Sequence, residues 1–427
     1  MPSVLPALSR FNELERICGE DSFKDQLRSF RQFGKKTACL EIAVLPPDGQ
    51  KIEVSTFINE FWTSLQRQAH SLHEISYRAC FKPQLPRFFI ERLTAPGEAV
   101  YDPFMGRGTT LVEAALLGRI PMGCDVNPLS RLLVAPRLGP PSLEEITARL
   151  EVIDWDRPGE EPRELLAFYH RKTLRRISSL RRYLLERESK RRLDGIDEWI
   201  RMVATNRLTG HSEGFFSVYT LPPNQAVSVE SQRRINRDRR QKPPVRDVAA
   251  IILKKSRFLL KHLGPEERTA LASSSAKGLL LTGPSARTPR IPDESVSLVV
   301  TSPPFLDVVD YKADNWLRCW FCGIDPEGVE ITMSRRLEDW KKAMTGVLKE
   351  LHRVLRPGGY VAFEVGEVRG GRIRLEEAVV PCGMEAGLSP VLILINDQKF
   401  TKTANCWGVS NNAKGTNTNR IVVFRKE

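Results

Sequence analysis

The residues best equipped for chemistry sit in two short strings. The first, AVYDPFMGRGTTLVEAALLGRIPMGCDVNP, covers residues 99–128. Its pattern predicts a strand ending at Asp102, a tight turn at Gly106 and Gly108, and a helix opening at Thr110 with Glu113 at capping-box spacing. Such a turn brings a ligand against helix N–H groups at the carboxyl end of a strand, where doubly wound sheets bind nucleotides. Asp125 follows at the end of the next apolar strand, placed to accept hydrogen bonds from both hydroxyls of a ribose. A dinucleotide fingerprint needs a third glycine, and Leu111 stands there instead, so the spacing fits an adenosine ligand. In the second string, SVSLVVTSPPFLDVVDY, an apolar strand from Val296 to Val300 runs into Thr301-Ser302-Pro303-Pro304-Phe305. Two prolines cannot continue a central strand, so the chain leaves the sheet at the edge that also carries the glycine turn.

The first string resembles the S-adenosylmethionine site of amino-methylating DNA methyltransferases, which reads DPFxGxGTT followed by an acid and often Asn-Pro. Asp102, Phe104, Gly106, Gly108, Thr109, Thr110, Asp125, Asn127 and Pro128 match it. Upstream, Phe81, Lys82 and Pro83 resemble the segment that covers the methionine end of the cofactor. The second string resembles the (D/N/S)PP(Y/F/W) catalytic tetrapeptide, here Ser302, Pro303, Pro304 and Phe305, whose serine version is associated with cytosine-N4 enzymes. The resemblance covers roughly residues 70–138 and 277–427, including the closing TNTNRIVVF. It departs at Gly283-Pro284-Ser285, where the family usually has Gly-Asp before the cofactor adenine, and in carrying a basic insertion between Asp125 and Gly283.

The resemblance implies transfer of a methyl group to the N4 amine of a flipped cytosine, with adenine N6 as the alternative. A noncatalytic nucleic-acid-binding protein on the same scaffold is the rival from another class, and RNA remains open as substrate. The chemistry suits the residue types. An exocyclic amine is a poor nucleophile because its lone pair is delocalised into the ring. Acceptors on its two N–H groups, here the Ser302 hydroxyl and the Pro303 carbonyl, draw that lone pair back to nitrogen. Phe305 can stack on a base taken out of the duplex.

These strings need a parallel sheet to place them. Apolar runs alternating with helical stretches predict a doubly wound, mostly parallel, seven-stranded α/β sheet formed by residues 76–138 and 276–427. Leu337, Trp340, Met344, Val347, Leu348, Leu351 and Leu355 recur at helical spacing until Pro357-Gly358-Gly359, which should end that helix before a strand from Tyr360 to Val365. Residues 139–275 read as a basic, largely helical insertion for target recognition, opened by a capping box at Ser142 and Glu145. Within it Arg233, Arg234, Arg237, Arg239 and Arg240 are expected on phosphates, and Arg207 beside Asn206, His211, Asn224 and Gln225 in a loop able to meet DNA. Residues 1–75 form an extension with one strand-like piece, ACLEIAVL, and no readable chemistry.

Composition agrees with a polyanion partner. The 427 residues carry a formal charge of +13 and a pI near 9.5, which makes nucleic acid the first partner to test, and the resemblance implies double-stranded DNA. No apolar run reaches the roughly 18 residues that cross a bilayer, so no membrane role is expected. The expected location is cytoplasmic and nucleoid-associated, and the resemblance leaves room for a companion restriction endonuclease. Eight scattered cysteines suggest no disulfide framework. Cys319 and Cys322 lack two further zinc ligands, so no metal is expected. Cys382, in a Pro-Cys pair, lies beyond the fifth predicted sheet strand, too far along the chain for a nucleophile.

Overall fold

The computed structural model describes residues 20–45, 49–63, 69–77, 80–220, 226–304, 311–328, 336–368, 373–397 and 418–427. Its strands are β1 (Ala38–Val44), β2 (Ile52–Asn59), β3 (Ala99–Asp102), β4 (Ile120–Asp125), β5 (Leu279–Thr282), β6 (Val296–Thr301), β7 (Leu355–Val365), β8 (Glu367–Val368), β9 (Ile373–Arg374), β10 (Ser389–Asp397) and β11 (Thr418–Arg425). Among the described residues, nine of them form one sheet in the order β1-β2-β10-β11-β7-β6-β3-β4-β5, while β8 and β9 make a separate small ribbon. The chain steps outward from β3 to β4 to β5 and then returns to β6 on the other side of β3. That reversal opens a crevice between the carboxyl ends of β3 and β6, which carry Asp102 and Thr301. Both strands are buried at every residue, as a parallel strand covered on two faces must be.

The sheet differs from the expected one in two ways. It has nine strands instead of seven, because the N-terminal segment adds β1 and β2: Thr56 to Asn59 pair in parallel with Ile393 to Asn396 of β10. It is also mixed, with β1–β2, β10–β11 and β11–β7 antiparallel. Pro357-Gly358-Gly359 lies within β7 as an irregularity. The β6–β7 register shifts between Val296 and Leu298, and Gly358 takes a φ of +74°.

Helices α1 (Glu20–Ser29), α2 (Gln84–Leu93), α3 (Thr109–Leu116) and α4 (Pro128–Leu138) surround the first half of the sheet. The insertion contains α5 (Leu143–Glu151), α6 (Arg171–Ser189), α7 (Gly195–Thr205), α8 (Val229–Asp238), α9 (Val248–Leu260) and α10 (Pro265–Ser275), and its capping box at Ser142 and Glu145 is formed in both directions. After β6 come α11 (Tyr311–Cys322), α12 (Leu337–Val354) and α13 (Leu375–Glu385). One sheet face packs Phe23, Phe57, Phe88 and Phe89 beneath α1 and α2; the other packs Met344, Leu348, Leu351 and Val379 beneath α12 and α13. Among the described residues, the insertion shares its core with the sheet's helices. Trp199, Ile200 and Val203 share one apolar cluster with Leu111, Val112, Leu133 and Val134, so it is built directly onto α3 and α4. Cys319 and Cys322 are buried in that cluster, and no group of ligands for a metal ion occurs among the described residues. No described helix is long and apolar enough to cross a membrane.

Candidate active site and nucleic-acid face

The glycine turn is built so that only glycine serves at its tightest point. Gly108, at φ +73°, caps α3 with left-handed backbone, and a Cβ there would come 2.4 Å from Val134 Cγ2. The expected capping box is therefore not formed. With the backbone turn itself starting the helix, Thr110 and Glu113 are free to cross-link. Thr110 Oγ1 donates to the Val300 carbonyl (3.1 Å), and the buried Glu113 pairs with His73 Nε2 (2.8 Å) and Arg87 Nη1 (3.0 Å).

Asp102 accepts from Thr301 Oγ1 (2.6 Å) and from the Phe104 amide (3.0 Å), which joins the ends of β3 and β6. Burial nevertheless raises its pKa to about 7. Asp125 is tied from both oxygens, Oδ2 accepting from the Gly106 amide and Oδ1 from the Asn127 amide, each at 2.9 Å. Burial also lifts its pKa above the usual carboxylate value. Asn127 caps α4 through Leu129 N and donates to the Tyr77 hydroxyl (3.3 Å), with Pro128 in the first helical position.

These groups border a cavity of about 320 Å³. Asp102, Gly106, Thr109, Asp125 and Asn127 give it a polar floor; Phe104, Met105, Ala286, Met344 and Val347 give apolar walls. Tyr77, Cys80 and Phe81 close one side, and Ser302, Pro304 and Trp340 stand at an end. Of the residues singled out in the sequence, Lys82, Pro83, Gly108, Thr110, Pro128 and Pro303 are not in the lining. Lys82 and Pro83 carry carbonyls that start α2. Phe305 lies outside the described residues. Where Gly-Asp was replaced by Gly283-Pro284-Ser285, the Ser285 hydroxyl turns away to the Pro103 carbonyl, leaving Asp102 and Asp125 as the acids that line the cavity.

The residue that sequence reasoning missed is Glu364. Thr301 pairs with Phe363 across β6 and β7, and the next residues along that register are Ser302 and Glu364, with Ser302 among the groups that pull the Glu364 pKa down. Asn419 Nδ2 donates to the same carboxyl from β11. Burial lifts the Glu364 pKa to about 7 against the pull of these two donors. Its signal was a lone acid in the apolar run YVAFEV. Trp340 was expected as a core residue; its indole N–H also donates to the Pro304 carbonyl (2.9 Å) and fixes the turn.

On the insertion, α8 exposes Arg233, Arg234 and Arg237, followed by exposed Arg239 and Arg240. Arg239 stacks 3.8 Å over Tyr219, and none of the five has an ion-pair partner among the described residues. The chain entering α8 is fixed to α11, through Ala226 N on the Asp314 carbonyl (3.4 Å) and Trp316 Nε1 on the Val227 carbonyl (3.3 Å). Arg207 differs. Its guanidinium lies over Phe215 at 4.1 Å, and burial lowers its pKa to about 10. Asn206 accepts from the Ser76 amide (2.6 Å), a structural bond, while Asn224 and Gln225 lie outside the described residues.

Comparison with known proteins adds the following. The family model described as "DNA methylase" (N6_N4_Mtase) matches residues 31–130. The Type II methyltransferase M.BsoBI of Geobacillus stearothermophilus is 23% identical over 311 residues, covering 65% of this chain and 58% of that protein. The Type II methyltransferase M.MjaII of Methanocaldococcus jannaschii is 36% identical over 72 residues, 17% of this chain and 13% of the relative. The chain thus spans less than two thirds of the length of these relatives. Among solved structures, the rRNA methyltransferase aviRa of Streptomyces viridochromogenes aligns over 83% of this chain and 89% of its own at 14% identity, with a TM-score of 0.32.

Proposed function

We propose that this protein is an S-adenosylmethionine-dependent DNA methyltransferase acting on the N4 amine of cytosine. The observation that carries the reading is one cavity bordered by two buried acids, a glycine turn and, at its end, Ser302 backed by Glu364. The match of residues 31–130 to the DNA methylase model supports it, and the likeness to Type II methyltransferases supports a place in a restriction-modification system. The residues present fit the cofactor. Asp125, oriented by two backbone amides, keeps lone pairs for a ribose, Asp102 offers an anion to a cationic tail, and Phe104, Ala286 and Met344 offer apolar surface to an adenine. When bound, S-adenosylmethionine supplies a methyl group activated on a sulfonium.

The protein's own residues act on the target amine. With its hydroxyl proton directed to Glu364, Ser302 would keep its oxygen lone pairs free to accept an amine N–H, and the Pro303 carbonyl can accept the other. The nitrogen lone pair is thereby localised for attack. The proton that the nitrogen sheds passes to the Ser302 oxygen while the hydroxyl proton moves to Glu364, whose raised pKa suits a base working near neutral pH. The exposed arginines of α8, joined to α11 just past the catalytic turn, hold phosphates while the base is out of the stack. Adenine N6 is the second reading, since Ser302 alone separates the two on this scaffold. Base-resolved sequencing of DNA from a host expressing the protein tests this: N4-methylcytosine is expected at a recurring site. N6-methyladenine alone would select the second reading, and neither mark would favour a noncatalytic binder.

A further inference from the structure

The segment that closes the cavity is held in an unusual way. The carbonyls of five consecutive residues, Leu72 to Ser76, each accept a hydrogen bond from a cationic side chain. Arg137 of α4 reaches Leu72 (3.1 Å), and Arg107 of the glycine turn reaches His73 (3.3 Å) and Ile75 (2.9 Å). Lys255 of α9 takes Glu74, and Arg318 of α11 takes Ser76 (3.1 Å). Arg107 also donates to the Phe81 carbonyl (3.4 Å), so one guanidinium grips the strap at both ends of the stretch that carries Tyr77, Cys80 and Phe81 to the cavity. Leu72, His73 and Ile75 are buried, and there an unpaired acceptor is costly, so Arg137 and Arg107 set the path of the strap at those three carbonyls, while Glu74 is exposed and Ser76 half-buried.

We infer that Arg107 and Arg318 are positioning residues for cofactor binding: neither is itself among the residues lining the cavity, and they act by holding in place the strap, residues 72–77 and 80–81, that borders it. The inference rests on the reading that this cavity takes S-adenosylmethionine. Arg107 contacts the strap from the turn that faces the ligand, and Arg318 ties it to the helix that follows the catalytic turn. Their loss should therefore show in cofactor affinity and in exposure of Cys80, which lies on the strap and in the cavity wall.

Two measurements on the full chain test this: calorimetric titration with S-adenosylmethionine, and the rate of iodoacetamide labelling at Cys80 followed by mass spectrometry, with the exposed Cys39 as internal reference. The wild type should bind the cofactor and be protected at Cys80 by it. Arg107→Met should raise Kd about tenfold or more and speed Cys80 labelling without cofactor while leaving Cys39 unchanged, as expected when several bonds to one cation are lost. Arg107→Lys, which keeps one donor group, should fall between. In turnover the loss should appear in KM for S-adenosylmethionine and not in kcat. Should Arg107→Met fail to fold by circular dichroism, Arg107→Lys and Arg318→Lys decide by the same two readouts. A folded variant with Kd within twofold of wild type, or with unchanged Cys80 labelling, overturns the inference alone. A wild type that binds no S-adenosylmethionine overturns the cofactor reading and this inference with it.

Discussion

Glu364→Gln separates the proposed proton path from a merely structural carboxyl. The substitution keeps the volume of the side chain, and its carbonyl oxygen can still accept from Asn419, so β7 and β11 remain joined. Toward Ser302 the change is chemical. An amide NH2 there donates to the serine oxygen, occupying the lone pair that would accept the target amine, and no proton can be taken up. Loss of a positioned general base costs about 10² to 10⁴ in rate, so kcat should fall by at least about a hundredfold while cofactor affinity holds.

The pH dependence supplies a second, independent reading. With a pKa of about 7, roughly half of the Glu364 carboxyls are ionised at pH 7 and about a tenth at pH 6, so wild-type kcat should fall about fivefold between those values. Stability runs the other way. A glutamate whose pKa rises from 4.5 to about 7 on folding binds its proton more tightly in the native state, so this contribution favours folding at low pH and is lost as pH climbs toward 7. Activity and stability should therefore change in opposite directions across this window. Transfer of radiolabelled methyl groups into DNA from pH 5.5 to 9 is the assay. Asp102 also titrates near 7, so the variant is needed to assign the limb. A Glu364→Gln protein with wild-type kcat and an unchanged acid limb would refute the relay and leave Asp102 as the titrating group.

Three further outcomes are expected. Asp125→Ala should weaken S-adenosylmethionine binding by about 1 to 3 kcal/mol in calorimetry, because a charge-assisted ribose contact is lost; unchanged affinity would contradict the placement of the ribose. Gly108→Ala should destabilise the fold by more than the roughly 1 to 2 kcal/mol of left-handed backbone alone, since the new Cβ meets Val134, and Val134→Ala in the same chain should recover the excess in urea titrations. Replacing Arg233, Arg234 and Arg237 together with Ala should flatten the plot of log K for DNA against log salt by up to about 2.7 units, at roughly 0.9 per phosphate contact, whereas an equal slope would make α8 a solvated face.

What could be read from the chain beforehand follows the range of the interactions involved. The glycine turn, the acid ending β4 and the break at Ser302-Pro303-Pro304 are local events: φ preferences, strand ends and proline chemistry act over a few residues, and all three arrive at one sheet edge. Glu364 was not readable in the same way. Its role depends on β6 and β7 being neighbours in the register Thr301 to Phe363, and on Asn419 arriving from a strand more than fifty residues further along. The same limit applied to β2, whose partner β10 is separated from it by most of the chain. Capping chemistry failed at Thr110 for the opposite reason. The spacing was right, but Gly108 had already opened the helix through its backbone, which released Glu113 to a buried ion pair with His73 and Arg87. A lone acid inside an apolar strand next to a proline turn is thus the transferable signal. In a central strand it cannot reach water, so it must either be neutral or have donors brought to it, and a carboxyl with that history is poised to exchange a proton at neutral pH.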